Sequence, residues 1–418
     1  MTSTVDASLG AAGDKSDKGE AGDRGGADGR LAAVDVLRGF ALFGILVVNI
    51  GFLASAYHGT GAEQPGADGP LDTAVSALTS VFFEAKFFLL FSFLFGYSFT
   101  LQLASAERRG ARFAPRFLRR LLGLFVLGAL HAVLLFPGDI LTTYALLGLV
   151  LLALHRIRPR VAVRIGVGLL AVTAIGYLLL GAVAAAAGTG SVDETAAAAD
   201  AARATEALRG DAASVIGAHL DQLPSVAFLL VFFQAPAALA AFLFGLAAGR
   251  HRAIGRIADF TPLLRRLQWT GFTVGLAGAV AYAYASTTST TDAGQLLALG
   301  IDVLTAPLLS AAYAATVLRA ATGRHADRLA AALAPAGRMA LTVYLSQSLF
   351  CALLFTGYGA GLSGRVPPSG VAAVAVALFA VQLAASRWWL RRHPYGPVEW
   401  LLRAWTNLAR PRWKGPAA

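Results

Sequence analysis

Runs of about twenty apolar residues recur along most of the chain, and that recurrence limits the fold more than any other feature. Twenty helical residues span the hydrocarbon core of a bilayer. Inside it every backbone N–H and C=O needs an internal partner, so only helices or closed barrels cross. The runs are continuous rather than alternating, which argues for helices over a barrel. Only 14% of the 418 residues are charged and 56% are hydrophobic, where a soluble chain carries about a quarter charged residues. Mean hydropathy is +0.62. The expected class is an all-α membrane protein with one membrane domain.

The runs fall near 31–54, 77–103, up to 136, 139–154, 167–185, 225–248, 269–285, 295–318, 339–358 and 371–388. The net charge of +11 could indicate nucleic acid in a soluble chain. Here the arginines cluster in every second loop, such as 108–120, 155–164, 250–256 and 319–328, and the other loops are nearly free of them. Basic loops stay cytoplasmic, so topology explains the charge, and no nucleic-acid partner is expected. The pattern predicts about ten transmembrane helices with both termini cytoplasmic. Residues 1–30 read as a disordered tail, 31–392 as the transmembrane domain, and 393–418 as a basic cytoplasmic or interfacial tail. The Ala-rich segment 186–224 is expected to hold at most a short amphipathic helix. Cys351 is the single cysteine, which excludes an intrachain disulfide, and no metal motif is present.

Ionisable groups at membrane depth are costly and mark function. Asn49, Glu84, Lys86, His131, Asp139 and Asp302 all fall toward the outer side, and Tyr344 and Gln347 toward the middle of their span. His131 and Asp139 flank the Pro137-Gly138 turn. Asp139 suits a helix N-cap there, or a partner that orients His131, or both. Glu84 and Lys86 are two apart and do not share a helix face, so at least one needs a partner elsewhere; Asp35 and Arg38 are three apart and can pair. His58, His155, His219, His251, His325 and His393 fall in loops or at span ends and read as surface residues.

Several pieces together resemble the YeiB family of bacterial multi-span membrane proteins. They are D-V-L-R-G at 35–39, V-N-I at 48–50, K-F-F-L-L-F-S-F-L-F-G at 86–96, the R-R-L-L, L-H and G-D-I-L pieces around His131 and Asp139, G-R-M-A-L-T-V-Y-L-S-Q at 337–347, and Y-G-P-V-E-W at 395–400. The D-x-x-R-G opening is also similar, more remotely, to transmembrane acyltransferases such as heparan-α-glucosaminide N-acetyltransferase. That likeness implies transfer of an acyl group from cytoplasmic acyl-CoA to an acceptor across the bacterial cytoplasmic membrane.

Two readings stay open. In the first, His131 is the base or acyl carrier, with Asp139 and Glu84 as its catalytic partners. Lys86, Asn49, Asp302, Tyr344 and Gln347 bind a small-molecule or glycan acceptor. Asp35, Arg38, Arg116 and Arg120 meet the phosphates of CoA. In the second, Glu84, Asp302 and His131 line the path of a proton-coupled exporter. Both expect these groups to converge on one chamber open to the exterior. Oligomeric state is open, a homodimer being one option.

Overall fold

The computed structural model describes residues 13–414 except 61, 63, 68, 188–193 and 290. Among the described residues the chain is helical, with no β-sheet. In order come α1 (Gly13–Ala54), α2 (Pro70–Phe82), α3 (Lys86–Arg108), α4 (Phe113–Leu134), α5 (Leu141–Ala153), α6 (Pro159–Ala187), α7 (Glu194–Arg209) and α8 (Ala212–Leu229). There follow α9 (Ala235–Arg250), α10 (Thr261–Thr270), α11 (Leu276–Thr288), α12 (Asp292–Ala320), α13 (Ala326–Arg338), α14 (Ala340–Phe355), α15 (Pro368–Leu390) and α16 (Pro397–Asn407). Residues 1–12 of the expected tail, the last four residues, and Glu63 and Asp68 of the first loop lie outside the described set.

Seven helical stretches are long and apolar enough to cross a membrane, or eight if the bent pair α13–α14 is one span. The remaining two of the ten expected runs take another form. Run 139–154 is the 13-residue α5, only about 20 Å long at 1.5 Å per residue. Run 269–285 straddles α10 and α11, joined through a π turn at Gly271–Gly275. The segment expected to be mostly loop, 186–224, carries α7 and much of α8, and α8 continues through a π turn at Leu230–Gln234 into α9. Its alanine content favours helix.

The outer faces are as apolar as the core. On α6, Val172, Ile175, Leu179 and Val183 are exposed, as a lipid-facing helix requires. By contrast α1 is wrapped: Leu37, Ala41, Leu42, Leu46 and Ile50 are fully buried among residues of α3, α5, α14 and α15. Small residues let these helices touch. A Cβ at Gly337 of α13 would run into the Asp35 carbonyl of α1, and one at Gly39 into the Leu333 carbonyl. Gly96 and Gly245 make the same reciprocal contact between α3 and α9.

Three irregularities position the polar groups. The α2–α3 helix breaks at Phe83–Ala85, where Ala85 adopts φ +62°. The α13–α14 pair bends by 74° at Met339. Two helix N-termini are capped from distant elements: Asp72 accepts Ser369 N–H at 2.9 Å at the start of α15, and Glu399 of α16 accepts Leu341 N–H at 2.7 Å and Thr342 N–H at 3.0 Å at the start of α14. A carboxylate there satisfies free backbone donors and meets the positive end of the helix dipole.

Candidate functional site

The Pro137-Gly138 turn folds α4 and α5 against each other and closes a histidine–aspartate pair. His131 Nδ1 lies 2.9 Å from Asp139 Oδ1. Asp139 Oδ2 accepts Thr142 N–H at 2.9 Å and Thr142 O–H at 3.2 Å, so one carboxylate caps α5 and orients the imidazole together. Gly128 leaves room for it, since a Cβ there would sit 2.5 Å from Asp139 Oδ2. With Nδ1–H donated to Asp139, the Nε2 lone pair is free to accept a proton. His131 is 2% exposed, and its Nε2 has no hydrogen-bond partner among the described residues.

The Tyr344 ring lies against that imidazole, centroids 5.2 Å apart, and its other surroundings form the end of a large cavity. The cavity has a volume of about 560 Å³ and runs between α1, α3, α4, α5, α14 and α16. On α3 its lining extends from Phe91 to Arg109, about 27 Å of helix rise. Its lining includes six arginines, Arg38, Arg109, Arg116, Arg120, Arg338 and Arg403, and one carboxylate, Glu399, which is already committed to α14. Nearer the dyad it is walled by Phe91, Ile140, Leu141, Tyr144 and Tyr344. Tyr144 is fixed there by Ser92 Oγ at 2.6 Å and the Phe88 carbonyl at 3.1 Å.

Among the described residues only one of these arginines has a carboxylate partner. Arg38 donates to Asp35 at 2.7 Å and to Ser98 Oγ. Arg116 donates to Asn407 Oδ1 at 2.7 Å, a neutral partner. Arg120 buries its Nε without a hydrogen bond. Five arginines without a carboxylate partner among the described residues, beside the Arg38–Asp35 pair, make a site for a polyanion. Asp35 supports Arg38 and is not itself in the cavity wall.

A second buried centre lies at the break between α2 and α3. Lys86, 0% exposed, donates to Asp302 Oδ1 at 3.3 Å and to the Ser80 carbonyl at 3.2 Å. Glu84 accepts Ser80 O–H at 2.6 Å, and Tyr282 stands beneath Lys86 with its ring centroid 5.7 Å from Nζ. Of the two, Lys86 takes the partner elsewhere that their spacing called for, and that partner is Asp302.

The expected single chamber is therefore corrected. Among the described residues no hydrogen bond or ion pair joins the Glu84–Lys86–Asp302 centre to His131–Asp139. The cavity beside the dyad is lined by the basic end of the helices instead of opening to the other side. Gln347 donates to Gln382 Oε1 at 3.0 Å and serves the α14–α15 contact, a use of amides expected between membrane helices. Asn49 is half-buried on α1, with no side-chain hydrogen bond among the described residues. His219, expected at the surface, is 3% exposed on α8 and donates to the Val133 carbonyl of α4 at 3.0 Å. Sequence reading missed Arg109, Arg338, Arg403 and Glu399. Arg403 and Glu399 share a short amphipathic helix, which was the available signal.

Comparison with known proteins adds a family to this geometry. The chain is 32% identical over 394 residues to the uncharacterized protein YxaH of Bacillus subtilis (strain 168), covering 91% of this chain and 95% of that protein. It is 30% identical over 411 residues to the uncharacterized protein YeiB of Escherichia coli (strain K12), covering 93% and 98%. Residues 248–409 match the model described as a protein of unknown function, DUF418. The chain belongs to the DUF418 family. Within this DUF418 protein the matched segment supplies α13, α14 and α16, with Arg338, Tyr344, Glu399 and Arg403. Arg38, Arg116, Arg120 and the His131–Asp139 dyad come from the half before it. No solved structure matches the chain.

Proposed function

We propose that this protein is a membrane acyltransferase that takes its acyl group from acyl-CoA on the arginine side and passes it to a small-molecule or glycan acceptor. The carrying observation is the cavity itself, arginine-rich at one end and ending on Tyr344, which packs against the buried His131–Asp139 dyad. In this reading the arginine end is cytoplasmic, about ten helical segments cross the bacterial cytoplasmic membrane, and both termini lie inside. The arginines hold the phosphates of CoA, and the apolar shaft takes the pantetheine arm toward Tyr344.

His131 then acts as general base. Its Nε2 removes the proton of the acceptor O–H or N–H as the heteroatom attacks the thioester carbonyl. The carbon–sulfur bond breaks, and the imidazolium returns that proton to the departing thiolate, giving free CoA thiol. Asp139 keeps the tautomer and stabilises the transient imidazolium. Closure of the site around Tyr344 implies that this ring moves to admit the thioester.

The test is thiol release from acetyl-CoA and longer acyl-CoAs by purified protein given crude envelope acceptors. His131→Ala should lower turnover about 10²–10⁴-fold while leaving CoA binding in place, whereas Arg116→Gln with Arg120→Gln should weaken CoA binding. Absence of acyl-CoA binding by wild-type protein would sink the proposal.

One observation favours a second reading, export. Two helices are broken, at Ala85 and at Met339, and discontinuous helices accompany substrate sites in transporters. Loaded proteoliposomes that exchange a solute only with intact Lys86 and Asp302 would support export over acyl transfer.

A further inference from the structure

The C-terminal helix α16 shows two different faces. Glu399, Leu402 and Thr406 turn inward: Leu402 and Thr406 are buried and Glu399 caps α14. Leu401, Trp405 and Leu408 turn outward, 53%, 46% and 68% exposed. Leu401 and Trp405 are four residues apart on one helix face, roughly 120° from the inward face, and Leu408 follows at the C-terminal cap with φ +52°. The four residues of the basic chain that matter next, Arg403, Arg410, Arg412 and Lys414, are all exposed.

This helix is also a wall of the arginine cavity, contributing Leu402, Arg403, Thr406 and Asn407. It is clamped to the start of α4 from both directions. Arg116 and Arg119 donate to Asn407 Oδ1 and the Thr406 carbonyl at 2.7 and 3.0 Å, and Trp405 Nε1 donates back to the Arg119 carbonyl at 2.8 Å. Trp400 Nε1 donates to the Pro411 carbonyl at 3.0 Å, which folds the basic tail back onto the helix.

We infer that α16 lies in the headgroup layer of the membrane on the arginine side, with its Leu401–Trp405 stripe and Leu408 in the acyl boundary and Arg410, Arg412 and Lys414 on acidic phospholipid headgroups, and that this seating holds the cavity ready for its anionic ligand. Three features on one element carry it. The stripe is apolar with a Trp, as interfacial helices require. The charge beside it complements anionic lipid. The same helix ends the membrane-crossing helices α3 and α4 at their basic end, where the leaflet surface must be. Lipid contact on the outer face and cavity contact on the inner face are thus one residue apart, at Leu401 and Leu402. The inference needs a polyanion site in the cavity and does not depend on what chemistry follows.

Its test uses the full chain in nanodiscs. Cys351 is the single cysteine and is buried, so Cys351→Ser with Ala409→Cys places one environment-sensitive fluorophore at the end of α16. In phosphatidylglycerol-containing discs the probe should report an apolar setting and strong quenching by lipid-borne quenchers. In pure phosphatidylcholine both should fall. Replacing Arg410, Arg412 and Lys414 by Gln should remove about tenfold or more of the preference for the acidic lipid. Inorganic pyrophosphate, the probe for the cavity, should raise the unfolding temperature of unlabelled wild-type protein more in acidic discs than in neutral ones, and the triple variant should lose that difference. Equal probe depth in both lipids, or pyrophosphate stabilisation independent of lipid, overturns the inference. Wild-type measurements alone decide it if a variant fails to fold. Acyl-CoA binding is not among the readouts, so failure here leaves the acyl-transfer proposal standing, and the reverse also holds.

Discussion

Lys86 and Arg120 are both cations among apolar helices, and the protein houses them in opposite ways. Lys86 is sealed, with Asp302 and a backbone carbonyl as its partners. Arg120 sits in a cavity wall with other arginines, its Nε unpaired and the one nearby carboxylate already used elsewhere. A sealed and paired charge belongs to the architecture. Unbalanced charges around a cavity wait for something that is not part of the chain. The difference separates the centre at the α2–α3 break from the cavity beside His131 more firmly than their depths do.

The sealed centre gives the largest effect. Asp302→Ala leaves the Lys86 ammonium buried without its carboxylate, and breaking a buried pair from one side costs about 3–5 kcal/mol. Thermal unfolding in detergent should show that loss, and adding Lys86→Met should restore most of it. A cost of less than about 1 kcal/mol would mean that water reaches Lys86. Lys86 and Arg120 would then both be open to water, and the centre would become a path rather than a clasp.

The cavity predicts the opposite sign. Arg120→Met removes one of five cavity arginines that have no carboxylate partner among the described residues and keeps an aliphatic stem in place, so unliganded stability should hold or rise by about 0.5 kcal/mol. Binding of pyrophosphate, followed by calorimetry, should weaken about tenfold, since a charge-assisted hydrogen bond contributes about 1.5–3 kcal/mol. Loss of stability without loss of anion binding would move Arg120 into the same class as Lys86.

How much of this was legible in the sequence follows from which physical demand each feature answers. Lipid imposes its demand on every residue of a crossing helix, so the apolar runs announce themselves, and the Pro137-Gly138 turn with His131 and Asp139 on either side could be read directly. The length of α5 could not, because the apolar run 139–154 does not show that only the 13 residues Leu141–Ala153 are helical. The spacing of Glu84 and Lys86 showed that at least one needs a partner elsewhere, but that partner lies 216 residues away, a distance no local rule spans. The arginine cavity was hidden by a competing explanation. Basic residues at Arg109 and Arg338 satisfy the positive-inside rule whether or not they also face a ligand, and only packing distinguishes the two. Gln347 shows the converse: its sequence position gives only its depth, and the partner of its amide, Gln382 across the helix pair, appears only in the packing.

The smallest effect tests whether the sealed centre reaches the loop above it. His58 lies in the loop between α1 and α2, with its ring edge-on to Phe52 at 4.4 Å between centroids. Burial pushes its imidazole below the ordinary histidine value, and the charge of Glu84 pulls it partly back. As pH falls below about 6.5, the unfolded chain takes up the proton first. Stability contributed by His58 is therefore complete above that pH and is lost as the pH drops toward the folded-state value. The slope stays below the one-proton limit of about 1.4 kcal/mol per pH unit. His58→Asn should flatten this part of the stability profile. Glu84→Gln removes the opposing charge and should steepen it, a change measurable by unfolding at a series of pH values between roughly 5 and 7.5. An identical profile in the Glu84 variant would disconnect the loop from the break beneath it and leave Lys86 and Asp302 as an isolated pair.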